Sequence, residues 1–361
     1  MAEEELSRLA LDEESDSDEE GEVELGFVQA PEAPWMLRRQ HFPCKAGGAA
    51  AWLDADSVPR TPDSCCDFCE EPLRFLLQIY ASLEERSDTF HRTLFMFMCS
   101  KMECLRRDQA EQKKPAQSSS RSVKVFRSQL PLKNIFYSDT PSRGKNDRPL
   151  TTGVDLCTWC RTWRGEKVCG GCKTTRYCSR QHQVEHWRAG HSSSCKTQAP
   201  VPTNNSSNNL WPEMEIVLGE EERDEETGNT LPIVPANQSL ALNAELQGFE
   251  EASGEKQCWA NFQARIQRAP SQVLRYCRNK NAKVLWMRPD DQPTAVDISP
   301  CQLCGGPRIF EFQVLPQLLY YFGVDNEPDS LDWATVAVYS CSNSCEVEGY
   351  AREFIWVQLP I

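Results

Sequence analysis

The chain has 361 residues, a net charge of −14 and 40% hydrophobic residues, low for its length, so two or three folded units separated by long polar stretches are expected. No apolar run approaches the roughly 18 residues needed to span a membrane, and Met1 leads into Glu3, Glu4 and Glu5 rather than a basic and then apolar leader. A soluble chain in a reducing compartment is therefore expected, where the 18 cysteines read as metal ligands before disulfides.

Residues 1–22 are expected to form a disordered acidic tail. Residues 1–24 carry twelve acids against Arg8, a net of −11. Blocks of this kind stay solvated and attract basic partners. Ser15 and Ser17 lie among those acids in a context that suits an acid-directed kinase.

Residues 23–131 are expected to form an N-terminal β-rich half-module, with buried strands over Phe75–Tyr80 and Leu94–Met98. A polar connector, 132–153, leads to a cysteine-dense segment at 154–196. From Cys157 that segment reads C-x2-C-x8-C-x2-C-x5-C-x3-H-x8-H-x3-C, through Cys160, Cys169, Cys172, Cys178, His182 and His191 to Cys195. Eight soft ligands make two closed tetrahedral zinc sites. Alternation of the pairs predicts a cross-brace, with Cys157, Cys160, Cys178 and His182 on one ion and Cys169, Cys172, His191 and Cys195 on the other. His186, four residues after His182 and on the same helical face, is an alternative ligand. Every site closes with four protein ligands, whereas catalytic zinc keeps one position for water. With no G-x-S-x-G, G-x4-G-K-[ST] or H-E-x-x-H in the chain, an enzyme is not expected. The finger has eight bases (Arg161, Arg164, Lys167, Lys173, Arg176, Arg180, Arg188, Lys196) against Asp155, Glu166 and Glu185. Even so, its ligand spacing is not that of groove-reading fingers, and direct DNA binding is not expected.

Residues 197–254 hold an Asn/Ser run and eight acids against Arg223 within 213–226, and read as a disordered acidic linker. Residues 255–361 are expected to form a C-terminal β-rich half-module, with strands over Phe310–Leu315, Val336–Tyr339 and Phe354–Val357. It repeats the first half. Both contain C-x2-C-x2-P-x2-F-x-h-Q-h, where h is apolar, at Cys66–Ile79 and Cys301–Val314. The Thr93–Cys99 segment matches Thr335–Cys341, and Phe126–Pro131 echoes Ile355–Pro360. Three matches in one order make a duplicated module. In each copy a cysteine pair before one strand and a second pair after another bring four thiolates to one end of a sheet, giving two further candidate metal sets, Cys66, Cys69, Cys99, Cys104 and Cys301, Cys304, Cys341, Cys345. Cys44, Cys65, Cys258 and Cys277 lack ligand spacing and read as core or surface thiols. The fold class expected is α+β and β-rich, two half-modules paired into one body with the zinc segment and the linker looped out.

The pattern from Cys157 through Tyr177-Cys178-Ser179, Trp187 and His191 to Cys195 resembles a MYND zinc finger. His182 stands where that family usually has cysteine, and the spacing to His191 is one residue longer than is common. Across nearly the whole chain, Val23–Phe27, Lys45–Leu53, Phe90–Phe95, Pro270–Tyr276 and Phe310–Leu319 resemble the programmed cell death protein 2 family, with Ala50 in place of a usual proline. The resemblance implies a duplicated β-rich body with an inserted MYND finger, a cytoplasmic and nuclear location, and a link to apoptosis and cell proliferation. It also implies a non-catalytic role as dedicated chaperone or adaptor for a basic small-subunit ribosomal protein in ribosome biogenesis. An alternative role is a transcriptional or signalling adaptor whose finger binds proline-containing peptides.

Overall fold

The computed structural model describes residues 22–114, 120–195, 210–221, 254–324 and 327–360. Its centre is a closed barrel in the order β1-β8-β2-β3-β4-β5-β12-β11-β10-β9. These are β1 (Glu24–Gln29), β2 (Lys45–Ala46), β3 (Arg74–Tyr80), β4 (His91–Met98), β5 (Val123–Leu130), β8 (Met214–Glu220), β9 (Gln272–Tyr276), β10 (Arg308–Val314), β11 (Thr335–Cys341) and β12 (Ala351–Gln358). The short strands β6 (Lys167–Val168) and β7 (Arg176–Tyr177) form a separate ribbon in the finger. The longer helices among the described residues are α1 (Met102–Glu111), α2 (Arg180–His186), α3 (Gly254–Arg268) and α4 (Gln317–Tyr321), with short helical turns at Pro34–Leu37, Arg39–His41, Trp187–His191 and Ser192–Ser194. Among the described residues no helix is long and apolar enough to cross a membrane.

The two half-modules are two arcs of this barrel, β2–β5 and β9–β12, so they do form one body. Their copies match down to the irregularities. The β3–β4 register slips between Phe75 and Leu77, and β10–β11 slips at the equivalent place, between Phe310 and Phe312. One seam closes where β5 pairs with β12. The other is closed by exchange: β1, leading the first half, pairs with β9 of the second, while β8, leading the second half, pairs with β2 of the first. The exchanged strands pair with each other from Glu24↔Glu220 to Gln29↔Glu215.

Strand β8 corrects the expected linker of 197–254. Its acidic residues suggested a solvated run, but Ile216 is buried in the barrel core and Trp211, just before it, stacks on Phe322 at 4.9 Å. Acids of that run have structural partners: Glu213 takes the buried Lys45, Glu215 accepts from Gln29 Nε2 at 3.0 Å, and Glu221 accepts from Arg275 Nη2 at 2.7 Å. The expected acidic tail, with Ser15 and Ser17, lies outside the described residues.

The central strands are buried on both faces, which is why they read as near-continuous apolar runs. Leu94, Met96 and Met98 join Val336, Val338, Ile355 and Val357 in a core shared by both halves. The alternate residues Phe95 and Phe97 face the opposite way, into a second core. At one end of the shared core the interior is charged. Arg92 and Glu311, both fully buried, form a two-pronged pair between the halves, with Arg92 Nη2 donating to Glu311 Oε2 at 2.7 Å. Burial works against the Glu311 charge, but Arg92, with Arg278 beyond it, holds the carboxyl below its ordinary range. Glu353 likewise accepts from Arg127 Nε at 2.6 Å across the β5–β12 seam, and from Arg308 Nε of β10 at 2.9 Å.

Candidate metal centres

The finger folds as its spacing dictates. Ser179 Oγ accepts from the His182 amide at 3.1 Å and caps α2, which turns His182 towards Cys178; Nδ1 lies 3.0 Å from that sulfur. Gly190, at φ 135°, breaks the helical path after Trp187 and brings His191 back to Cys169, with Nε2 3.4 Å from the sulfur. Gly171 must lack a side chain, since a Cβ there would lie 2.7 Å from Cys195 Sγ.

The structure brings together Cys157, Cys160, Cys178 and His182, and separately Cys169, Cys172, His191 and Cys195, the ligand atoms of each set lying within 4.8 Å of one another. His186 belongs to neither set. Its Nδ1 is 2.9 Å from the Tyr177 hydroxyl, and its ring stacks on His191 at 4.9 Å, so it supports a ligand without being placed as one. A zinc–sulfur bond of about 2.3 Å gives a tetrahedron with edges of about 3.8 Å. The finger sulfurs fit that: Cys160 to Cys178 is 3.9 Å and Cys169 to Cys195 is 3.7 Å. None of the 18 cysteines is in a disulfide, a bond that would need sulfurs about 2.05 Å apart. Burial alone would depress the His182 imidazole, yet the Cys157 and Cys160 sulfurs beside it raise it to about 10. A divalent ion placed there would replace the proton that those thiolates otherwise attract.

The finger is not looped out from the body. Trp163 sits between two ligand pairs in sequence but is buried among body residues, its ring 4.4 Å from that of Phe97 and its Nε1 donating to Leu73 O at 2.7 Å. Trp52 answers from the body, donating from Nε1 to Thr162 O at 2.6 Å. Tyr350 of the C-terminal half packs edge-on to Trp52 at 4.9 Å. The expectation failed because an indole beside zinc ligands reads as part of a finger's own small core. An apolar residue that a 39-residue zinc segment has no room to bury was the available signal.

The body sets also converge. Cys66, Cys69, Cys99 and Cys104 form one group within 4.8 Å, and Cys301, Cys304, Cys341 and Cys345 another. The first lies where the turn before β3 meets the end of β4 and the first turn of α1; the second lies where the turn before β10 meets the end of β11. Cys69 is 3.7 Å from Cys99, Cys301 is 3.7 Å from Cys345, and Cys304 is 3.6 Å from Cys341. The first set is largely buried, whereas Cys304 is exposed. Burial, then the neighbouring Cys66 charge, pushes the Cys104 thiol up to about 12. Among the four remaining cysteines, Cys44 receives the Tyr80 amide at 3.2 Å and Cys258 donates to Trp286 O at 3.2 Å. Cys65 bridges to Pro72 and Cys277 is buried under the second half.

Residues 22–144 match the programmed cell death protein 2 N-terminal domain, 256–359 its C-terminal domain and 157–195 the MYND finger. Programmed cell death protein 2 of Bos taurus is 37% identical over 366 residues, covering 95% of this chain and 98% of that protein. The chain belongs to the programmed cell death protein 2 family. The rat protein is also 37% identical, over 93% of this chain and 96% of its own length. The human programmed cell death protein 2-like protein is 25% identical over 83% and 85%. No solved structure matches the chain. MYND fingers bind zinc, and the finger's soft donors at tetrahedral spacing fit that ion. The family is not a known family of enzymes.

Proposed function

We propose that this protein is a non-catalytic chaperone or adaptor that shields a basic small-subunit ribosomal protein, in cytoplasm and nucleus, before that client joins the ribosome. In this reading the finger holds two structural zinc ions, on Cys157, Cys160, Cys178 and His182 and on Cys169, Cys172, His191 and Cys195. Closed four-ligand sites leave no position for a reacting water.

The observation that carries the reading is the pairing of Glu24 with Glu220 in the exchanged strands. The described chain begins at Glu22, just before β1, and breaks off at Glu221, just after β8, where the Glu221 amide donates to Val23 O at 2.9 Å, so these two ends lie side by side. In this reading the acids that flank these two ends in sequence, within 1–21 and 222–226, act together on one basic segment. Concentrated negative potential attracts and masks a polycation, raising the encounter rate and competing with nucleic acid.

The test is capture of a purified basic small-subunit ribosomal protein by the full chain over a salt series. Exposed charges are screened beyond about 10 Å at 0.1 M salt, so capture is expected to weaken steeply with salt. Neutralising the acids of 1–22 and 222–226 is expected to flatten that slope. Capture that ignores both salt and neutralisation would refute the reading. Deleting the finger is a poor test, because Trp163 belongs to the core of the body.

A further inference from the structure

The chain contains four C-x-x-C turns, two in the finger and two in the body, and all four have the same backbone. The residue directly after each pair's last cysteine differs in identity from turn to turn but not in conformation. Glu70, Arg161, Lys173 and Gly305 occupy that place with φ of 60°, 54°, 59° and 70°. Each donates its amide to the carbonyl of the first cysteine, at 2.9, 2.8, 3.1 and 2.9 Å respectively. The first cysteine's own amide is satisfied from a residue further on: Glu71, Trp163, Thr175 and Gly306, at 2.9, 2.7, 2.9 and 2.8 Å. Three of the four left-handed residues carry a Cβ, which disfavours that conformation. A loop does not settle into it three times without a common cause. In the finger the cause is zinc, because this turn aims two sulfurs at one point.

In the body the same turns aim at a second cysteine pair. The thiol spacings of 3.6 and 3.7 Å are tetrahedral edges. Gly306 adds an amide donated to Cys304 Sγ at 3.4 Å, a bond suited to a thiolate. A donor set of four sulfurs selects zinc over magnesium or calcium, which take oxygen. The two sites are not isolated from the barrel. Arg127 of β5 donates to Cys345 O at 2.8 Å, lies 3.6 Å from Cys345 Sγ, and is paired to Glu353 on β12. The second site is therefore tied directly into the seam between the halves.

We propose that the barrel binds two structural zinc ions of its own, each by four thiolates, on Cys66, Cys69, Cys99 and Cys104 and on Cys301, Cys304, Cys341 and Cys345, the second clasping the β5–β12 seam. The full chain then holds four zinc ions. Native mass spectrometry and elemental analysis of the full-length protein, purified without chelator, are expected to give four ions per chain. Cys69→Ser and Cys304→Ser are each expected to remove one. Should either variant fail to fold, cobalt(II) replacement in the unmodified chain decides the matter: two all-thiolate and two mixed-ligand spectra are expected. A count of two, only mixed-ligand cobalt spectra, or a zinc count unchanged in both variants overturns the proposal.

Discussion

The two halves of the barrel are copies in their backbones and opposites in their covers. Both carry the same turn, the same register slip and the same glutamine one residue beyond it: Gln78 accepts the Ala51 amide at 2.8 Å, and Gln313 accepts the Leu285 amide at 2.7 Å. At the slip itself they part. Leu76 lies in the shared apolar core, while its counterpart Glu311 reaches the Arg92 of the other half. The outer face of the first half is sealed by the finger through Trp163; that of the second is sealed by its own loops and by α3. Duplication therefore supplied the strands, and later divergence at single positions turned two like halves into complementary ones.

The largest break in that comparison comes from undoing the divergence. Glu311→Leu restores the residue of the first copy but strands a fully buried guanidinium, and removing one partner of such a pair costs about 3–5 kcal/mol. Urea unfolding is expected to show the loss. Adding Arg92→Met is expected to recover most of it, since an apolar pair can replace a buried ionic one. Failure of the double variant to recover would mean that Tyr276 and Ser340, which also reach this pair, depend on the charge.

A smaller effect separates the covers. Trp163→Phe keeps an aromatic ring against Phe97 but leaves Leu73 O without its donor, a loss of about 1–3 kcal/mol for an unsatisfied buried group. The loss is expected in the unfolding of the whole chain, with the finger's zinc count unchanged. A loss confined to the finger would show that the finger folds apart from the barrel.

Much of this was legible in the sequence, for identifiable reasons. Ligand spacing encodes a turn geometry, so Cys66 to Cys104 and Cys301 to Cys345 could be grouped from their repeated order alone. Strands buried on both faces announce themselves by runs such as Leu94–Met98. Strand β8 did not, because Glu215, Glu220 and Glu221 hide an alternation of Met214, Ile216 and Leu218 that has the strand period. The ion pairs were illegible for a different reason. Arg92 and Glu311 are 219 residues apart, and only closure of the barrel makes them neighbours.

The two body metal sites offer a kinetic comparison. If both hold zinc as proposed, the exposed Cys304 gives a chelator an entry that the more deeply set first site lacks. Zinc is expected to leave the second site first, followed by alkylation of Cys304. Protection of the two sets in the reverse order would place the weaker point of the barrel in its N-terminal half.

The smallest expected effect is a pH dependence that tells body from finger. His91 is buried in the first half with its Nδ1 2.9 Å from the Tyr80 hydroxyl, and burial lowers its imidazole from the ordinary 6.5 to about 4. The unfolded chain therefore binds this proton more readily than the folded one, and folding is favoured where neither binds it. The His91 contribution is complete above pH 6.5 and is lost as pH falls from there towards 4. Acid also displaces zinc from thiolate sites, which would mask the effect in a single titration. Comparing the unmodified chain with His91→Gln, which keeps an acceptor for Tyr80, cancels that shared loss. Between pH 6.5 and 5 the variant's stability is expected to fall less steeply. Equal slopes would assign the whole acid response to the metal centres and none to the barrel's buried histidine.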